Sequence, residues 1–180
     1  MLWLDKMEKN NLKKIAIIGA ESTGKSWLCE RLAKYFNTIW VHEYAREYFN
    51  TFNVSDYELS DLIKIAKKQL ELEKDYASKA NQFLFCDTSL ITIKIWAELE
   101  FKKVPTFIYD QISKSDYNCF LLTNNDLPWQ ADNQRQNKFN RELIFKLNED
   151  EIKKTGLPYF IVTGFDDSRL NEAIKIVQSI

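Results

Sequence analysis

Hydrophobic and polar residues are arranged in blocks along this chain rather than in strict alternation. Ile15-Ala16-Ile17-Ile18 after Lys13-Lys14, Phe83-Leu84-Phe85-Cys86, Cys119-Phe120-Leu121-Leu122 and Tyr159-Phe160-Ile161-Val162 are continuously apolar, and Thr38 to Val41 adds a briefer run. Short runs without a polar face predict strands covered on both sides, as in a parallel sheet. Between them, apolar residues recur at helical spacing over Ser26 to Phe36, Asp61 to Ala80, Ile91 to Phe101, Pro105 to about Ser115, about Gln134 to Thr155, and Ser168 to Ile180. The Asp61 to Ala80 stripe is only partly apolar, because Gln69 and Glu73 share a face with Leu62, Ile65, Ala66 and Leu70. His42 to Tyr48 follows neither period. Pro105 is placed to open a helix, Gly156 to close one and Asp167 to cap the last.

Strands alternating with helices predict an α/β fold, a five-stranded parallel sheet with helices on both faces. The polar stretch Asn124 to Asn133 breaks the pattern and predicts a mobile loop, part of a lid over about 124–141. No repeat, low-complexity tract or linker interrupts the rest, so residues 1–180 are expected to form one domain.

Charge removes several classes of partner. Lys and Arg number 25 against 26 Asp and Glu, so no net positive field exists to hold a nucleic acid or an anionic membrane. No apolar run approaches the roughly 20 residues of a membrane span, and MLWLDKMEKNN is not a secretory signal, so a cytoplasmic protein is expected. Cys29, Cys86 and Cys119 are far apart and flanked by apolar residues, which predicts buried free thiols rather than disulfides. With one histidine and no cysteine pair, zinc lacks ligands, and any metal is expected to be Mg²⁺. Oligomeric state is open.

Gly19-Ala20-Glu21-Ser22-Thr23-Gly24-Lys25-Ser26 fits the phosphate-loop pattern G-x-x-x-x-G-K-[ST], between a predicted strand and a predicted helix. Its glycines let the backbone curl, so that N–H groups and the helix dipole cradle a polyphosphate. Lys25 would reach the β- and γ-phosphates of ATP, Ser26 would offer its hydroxyl to Mg²⁺, and Trp27 is included with the loop as a nucleotide contact. Asp87 ends a buried strand where a carboxylate near Mg²⁺ and the reacting phosphate is expected, the alternative being a helix N-cap. Glu43 follows the second strand, and carboxyl ends of neighbouring strands face one crevice. There it would orient an acceptor hydroxyl, with Arg46 beside it; the alternative is a solvated surface pair. His42 is read as a polar group at a strand end. Tyr44, Tyr48, Trp40 and Trp129 are candidates for stacking or for packing. Arg135, and more weakly Arg141, are placed for a lid arginine over the phosphates, the alternative being the exposed face of a charged helix.

Taken with Glu43-Tyr44-Ala45-Arg46-Glu47, Cys86-Asp87-Thr88, Thr123 through Trp129, Asp132 and Arg135, the loop resembles the ribosylnicotinamide kinase domain of the NadR proteins over nearly the whole chain. That resemblance implies a P-loop kinase fold. It also implies transfer of the ATP γ-phosphate to the 5′-hydroxyl of nicotinamide riboside, giving nicotinamide mononucleotide in NAD salvage. Lys25, Glu43, Asp87 and Arg135 would act in transfer, and Glu43, Tyr44, Arg46, Tyr76, Asp87 and Trp129 would hold the substrate, Tyr76 as a stacking ring. The pyridinium charge of that substrate would favour a pocket of carboxylates and aromatic walls. Another small nucleoside or nucleotide kinase, or a nucleotide-dependent regulatory ATPase, would carry the same loop.

Overall fold

The structure, a computed structural model, describes residues 12–52, 57–129 and 141–180. Five strands, β1 (Lys13–Ile18), β2 (Ile39–Val41), β3 (Phe83–Asp87), β4 (Cys119–Thr123) and β5 (Tyr159–Val162), form one sheet in the order β2-β3-β1-β4-β5. Every pairing is parallel. The helices are α1 (Lys25–Tyr35), α2 (Tyr44–Phe52), α3 (Leu59–Ala77), α4 (Leu90–Phe101), α5 (Thr106–Ser113), α6 (Arg141–Thr155) and α7 (Asp166–Ser179). The expected α/β sheet is therefore present.

Successive side chains of a strand point to opposite faces, which is why these strands lack polar positions. Ile15, Ile17, Phe83, Phe85, Cys119, Leu121 and Val162 face α1 and α7, packing on Leu28, Leu32, Ala173 and Val177. Ala16, Ile18, Leu84, Cys86, Phe120 and Leu122 face the other way, onto Ile91 and Ile95 of α4 and Ile152 of α6. All three cysteines are free and buried.

α2 was not legible from periodicity. It buries only Ala45 and Tyr48, in a third apolar cluster with Leu62, Ile65 and Ala66 of α3 and Ile108 of α5, away from the sheet. α3 begins two residues before the expected Asp61, because the Asp61 carboxylate accepts the Glu58 backbone N–H at 2.9 Å and so caps the first turn from inside. Its polar interruptions are buried and paired. Glu73 binds Lys14 Nζ at 2.7 Å and accepts the Tyr117 hydroxyl at 2.9 Å, while Gln69 accepts the Tyr44 N–H at 2.9 Å. Among the described residues no helix is long and apolar enough to cross a membrane.

The strand order fixes where a ligand would bind. From central β1 the chain crosses to edge strand β2 and returns to β3 on one side, then crosses to β4 and β5 on the other, so a crevice opens at the carboxyl ends of β1 and β3. Register places Asp87 opposite Ile17, two residues before Gly19.

Candidate active site

The loop leaving β1 curls tightly before α1 starts at Lys25. Gly24 caps that helix in a left-handed conformation (φ 76°), with Ser22 also at positive φ (56°). Gly19, at φ 150°, lies against β4, and a Cβ there would stand 2.9 Å from the Thr123 carbonyl oxygen. Only glycine permits this approach. The Thr23 hydroxyl bonds the Thr123 hydroxyl at 2.7 Å and donates to the Ala20 carbonyl at 2.8 Å, which fixes the far side of the curl. Lys25 Nζ donates to the carbonyls of Gly19 (3.1 Å) and Ala20 (2.8 Å). The first-turn N–H groups of α1 lack partners within their helix, so loop and helix present donors and a positive dipole to one point.

Asp87 closes the floor. Ser26 donates its hydroxyl to Asp87 Oδ2 at 2.5 Å, and Asp87 Oδ1 is buried without a hydrogen-bond partner among the described residues. The N-cap of α4 is Ser89, not Asp87, so the capping alternative falls away. Burial, and then the nearby Glu43 charge, push the Asp87 carboxyl up to about 6, against the opposing influence of Lys25, Ser26 and Arg46. Lys25, Ser26, Glu43, Arg46 and Asp87 thus share one electrostatic neighbourhood. Thr88, a β-branched residue held at φ 83°, follows at once, with its N–H bonded to the Ile17 carbonyl at 3.0 Å. Backbone strain therefore accompanies the carboxylate, as it often does at functional positions.

A raised carboxylate pKa has a signed consequence for the metal-free protein. Between roughly pH 4 and 6 the folded form keeps a proton that the unfolded chain has released, so this group's stabilising contribution is complete below about pH 4 and lost as pH rises through 6. Glu43→Gln removes one cause and is expected to shrink that loss, measured as the change in urea midpoint between about pH 4 and pH 7 in chelator. An unchanged difference would detach Glu43 from Asp87.

Glu43 and Arg46 form an i,i+3 pair, Nε to Oε2 3.1 Å, with side chains 20% and 41% exposed, and the charges of both act on Asp87. His42 Nε2 lies 3.0 Å from Glu47 Oε2 at the exposed rim. Tyr44 is half-buried at the start of α2, edge-on to Tyr48 with ring centroids 6.2 Å apart. Tyr48 is packing: its hydroxyl donates to Asp61 at 2.7 Å in the third cluster. Trp40 and Trp27 are both partly buried and pack against the core on the α1 side, Trp27 with Arg31 over its ring. Trp129 is half-buried beyond β4.

Tyr76 does not join the site. α3 runs from the crevice, where Gln69 meets His42 and Tyr44, toward the start of β3, and Tyr76 lies near that opposite end, its carbonyl accepting the Ala80 N–H at 2.9 Å. Seven residues of helix separate Tyr76 from Gln69, a rise of about 10 Å. Asp132 and Arg135 lie outside the described residues.

Arg141, expected only weakly, reaches the loop directly. Its Nη1 donates to the Leu127 carbonyl at 2.9 Å and its Nη2 to the Ser22 carbonyl at 3.4 Å. Arg169 belongs to none of the motifs legible in the sequence. It is fully buried on α7 and donates to Gly164, Thr23 and Asn124 carbonyls and to the Asp126 carboxylate. A signal existed: Arg169 falls four and eight residues before Ala173 and Val177, on the buried face of its helix.

A glycine loop between β1 and α1, with a hydroxyl and a buried carboxylate beneath it on this sheet, defines a P-loop protein. The chain belongs to the AAA domain family, whose model matches residues 14–168. It is 28% identical over 176 residues to the trifunctional NAD biosynthesis/regulator proteins NadR of Salmonella typhimurium and of Escherichia coli, covering 94% of this chain and 43% of theirs. The chain thus spans less than half the length of those relatives. A crystal structure of NadR protein in complex with NR superposes with a TM-score of 0.84 at 23% identity, over 96% of this chain and 52% of that one. Thymidylate kinase from Ehrlichia chaffeensis follows at a TM-score of 0.64 and 14% identity, over 93% of this chain and all of that one. The fold is that of the P-loop kinases.

Proposed function

We propose that this chain is a phosphotransferase that moves the ATP γ-phosphoryl group to the 5′-hydroxyl of nicotinamide riboside. The observation that carries the reading is Asp87: a buried carboxylate with one oxygen on Ser26 and the other unpartnered, facing a phosphate loop, with the Glu43–Arg46 pair alongside. A switch ATPase needs the loop and a metal carboxylate, whereas the second acid-base pair in the same crevice supports an acceptor. Similarity to NadR, and to an NR complex of that protein, supports this acceptor among nucleosides.

The Ser26 hydroxyl and Asp87 Oδ1 are hard oxygen donors that suit Mg²⁺, which when bound would neutralise charge on the phosphate oxygens. The remaining work belongs to the chain. Loop N–H groups hold the β- and γ-phosphates, and Lys25 follows the charge that develops on transfer. Glu43 orients the acceptor hydroxyl and accepts its proton, while Arg46 holds Glu43 in place. The carboxylates of Glu43 and Asp87 also favour a cationic base over a neutral one.

An ADP-release assay with ATP and Mg²⁺ tests this, comparing nicotinamide riboside with uridine, cytidine, adenosine, deoxynucleosides and no acceptor, with product mass measured. Turnover with nicotinamide riboside at least about tenfold above every other acceptor is expected. Preference for another nucleoside would discard the substrate, and acceptor-independent ADP release would discard the transferase.

A further inference from the structure

Cations of three elements reach the backbone carbonyls of the phosphate loop, and one of them, Arg169, is fully buried. Lys25 takes the carbonyls of Gly19 and Ala20, Arg141 that of Ser22, and Arg169 that of Thr23 at 2.8 Å. In a planar trans peptide the C=O and the following N–H point in opposite directions. A carbonyl pinned toward the body of the protein therefore turns the next N–H outward, into the crevice. For the Thr23 carbonyl that N–H belongs to Gly24, immediately before Lys25 and Ser26.

Arg169 is the most constrained of these cations. Its side chain has no exposure, and its Nε donates to the Gly164 carbonyl at 2.9 Å while Nη2 meets the Asn124 carbonyl and the Asp126 carboxylate. Asp126 in turn accepts the Gly164 N–H at 2.7 Å. One guanidinium thus joins the phosphate loop, the segment after β4 and the turn after β5. A buried ion pair is a poor source of stability, and an apolar side chain would serve α7 as well at a position in line with Ala173 and Val177. The planar fork, by contrast, fixes directions.

We propose that Arg169 is a positioning residue for the phosphate site, holding the Thr23 carbonyl inward so that the Gly24 N–H faces the nucleotide and locking that orientation to the segments after β4 and β5 through Asp126 and Gly164. The proposal rests on the reading that residues 19–26 take the phosphates of ATP. It makes Arg169 act on the nucleotide and not on the acceptor.

Arg169→Lys keeps the charge but replaces a fork of five N–H donors with one ammonium of three, too few for the four acceptors that Arg169 holds. It is expected to weaken MgADP binding, by calorimetry, and to raise KM for ATP, each by about tenfold, with KM for the acceptor within about twofold. Asp126→Asn should give the same pattern at about threefold, and it carries the test if the lysine variant does not fold. Unchanged ADP affinity, or a fall in kcat alone with both KM values as in wild type and a lower melting temperature, would overturn the proposal by reducing Arg169 to a structural role. Wild-type protein that binds ADP but phosphorylates no acceptor would sink the salvage reading, while a tenfold weaker ADP affinity in Arg169→Lys would still support this one. Wild-type protein that binds no ADP would overturn both.

Discussion

Asp87→Asn is expected to lower turnover by about a thousandfold while leaving the fold in place. The substitution keeps the size of the side chain and an oxygen that still accepts the Ser26 hydroxyl at the 2.5 Å contact, so the floor of the site remains built. What disappears is a negative charge that burial and Glu43 both oppose, and which the protein keeps one bond short of satisfied. On the proposed reading that charge serves to hold Mg²⁺ beside the phosphate loop. The variant therefore has a second signature of opposite sign. Without metal, a buried carboxylate repels the phosphates, so ADP in chelator should bind Asp87→Asn more tightly than wild type, whereas Mg²⁺ should no longer improve binding. Calorimetric titrations with and without Mg²⁺ separate the two terms. Equal Mg²⁺ dependence in both proteins would remove Asp87 from the metal, whatever happened to the rate.

The legibility of this site in the sequence follows from which constraints are local. The phosphate loop was readable because glycine, lysine and serine occupy fixed offsets within one turn, and Asp87 because a strand covered on both faces tolerates no charge until it ends. Glu43 was placed by the rule that strand ends converge, and its charge does reach Asp87. Tyr76 failed for the complementary reason. Sequence distance along α3 does not reveal its direction, and the helix carries Tyr76 away from the crevice that Gln69 borders. α2 was missed because it packs on other helices, with two buried residues in place of a continuous stripe. Arg141 and Arg169 depend on contacts 119 and 146 residues distant, to Ser22 and Thr23, which no local pattern encodes. An arginine on the buried face of an amphipathic helix was nevertheless a visible anomaly, and asking what would neutralise it leads toward Asp126.

Lys25→Met should be as damaging as loss of Asp87, and it separates two roles that one lysine combines. In this structure Nζ lies on the carbonyls of Gly19 and Ala20, so the ammonium shapes the loop that it is also expected to leave when phosphate arrives. Methionine preserves the length and the apolar stem but supplies neither the bonds nor the charge. Removing the bonds loosens a backbone whose other side is held by Thr123 and Arg169, and this alone should weaken ATP binding by roughly tenfold. Removing the charge takes away an interaction that grows as negative charge shifts along the phosphates, for a further loss of about 10²- to 10³-fold in kcat at saturating ATP. Lys25→Arg is not expected to rescue, because a rigid fork cannot occupy a point flanked by two carbonyls of a tight turn. The decisive measurement is kcat at nucleotide saturation. If it matches wild type and only KM has risen, Lys25 holds the ground state and the transition state equally, and the charge that follows the transferring group comes from another cation of the crevice.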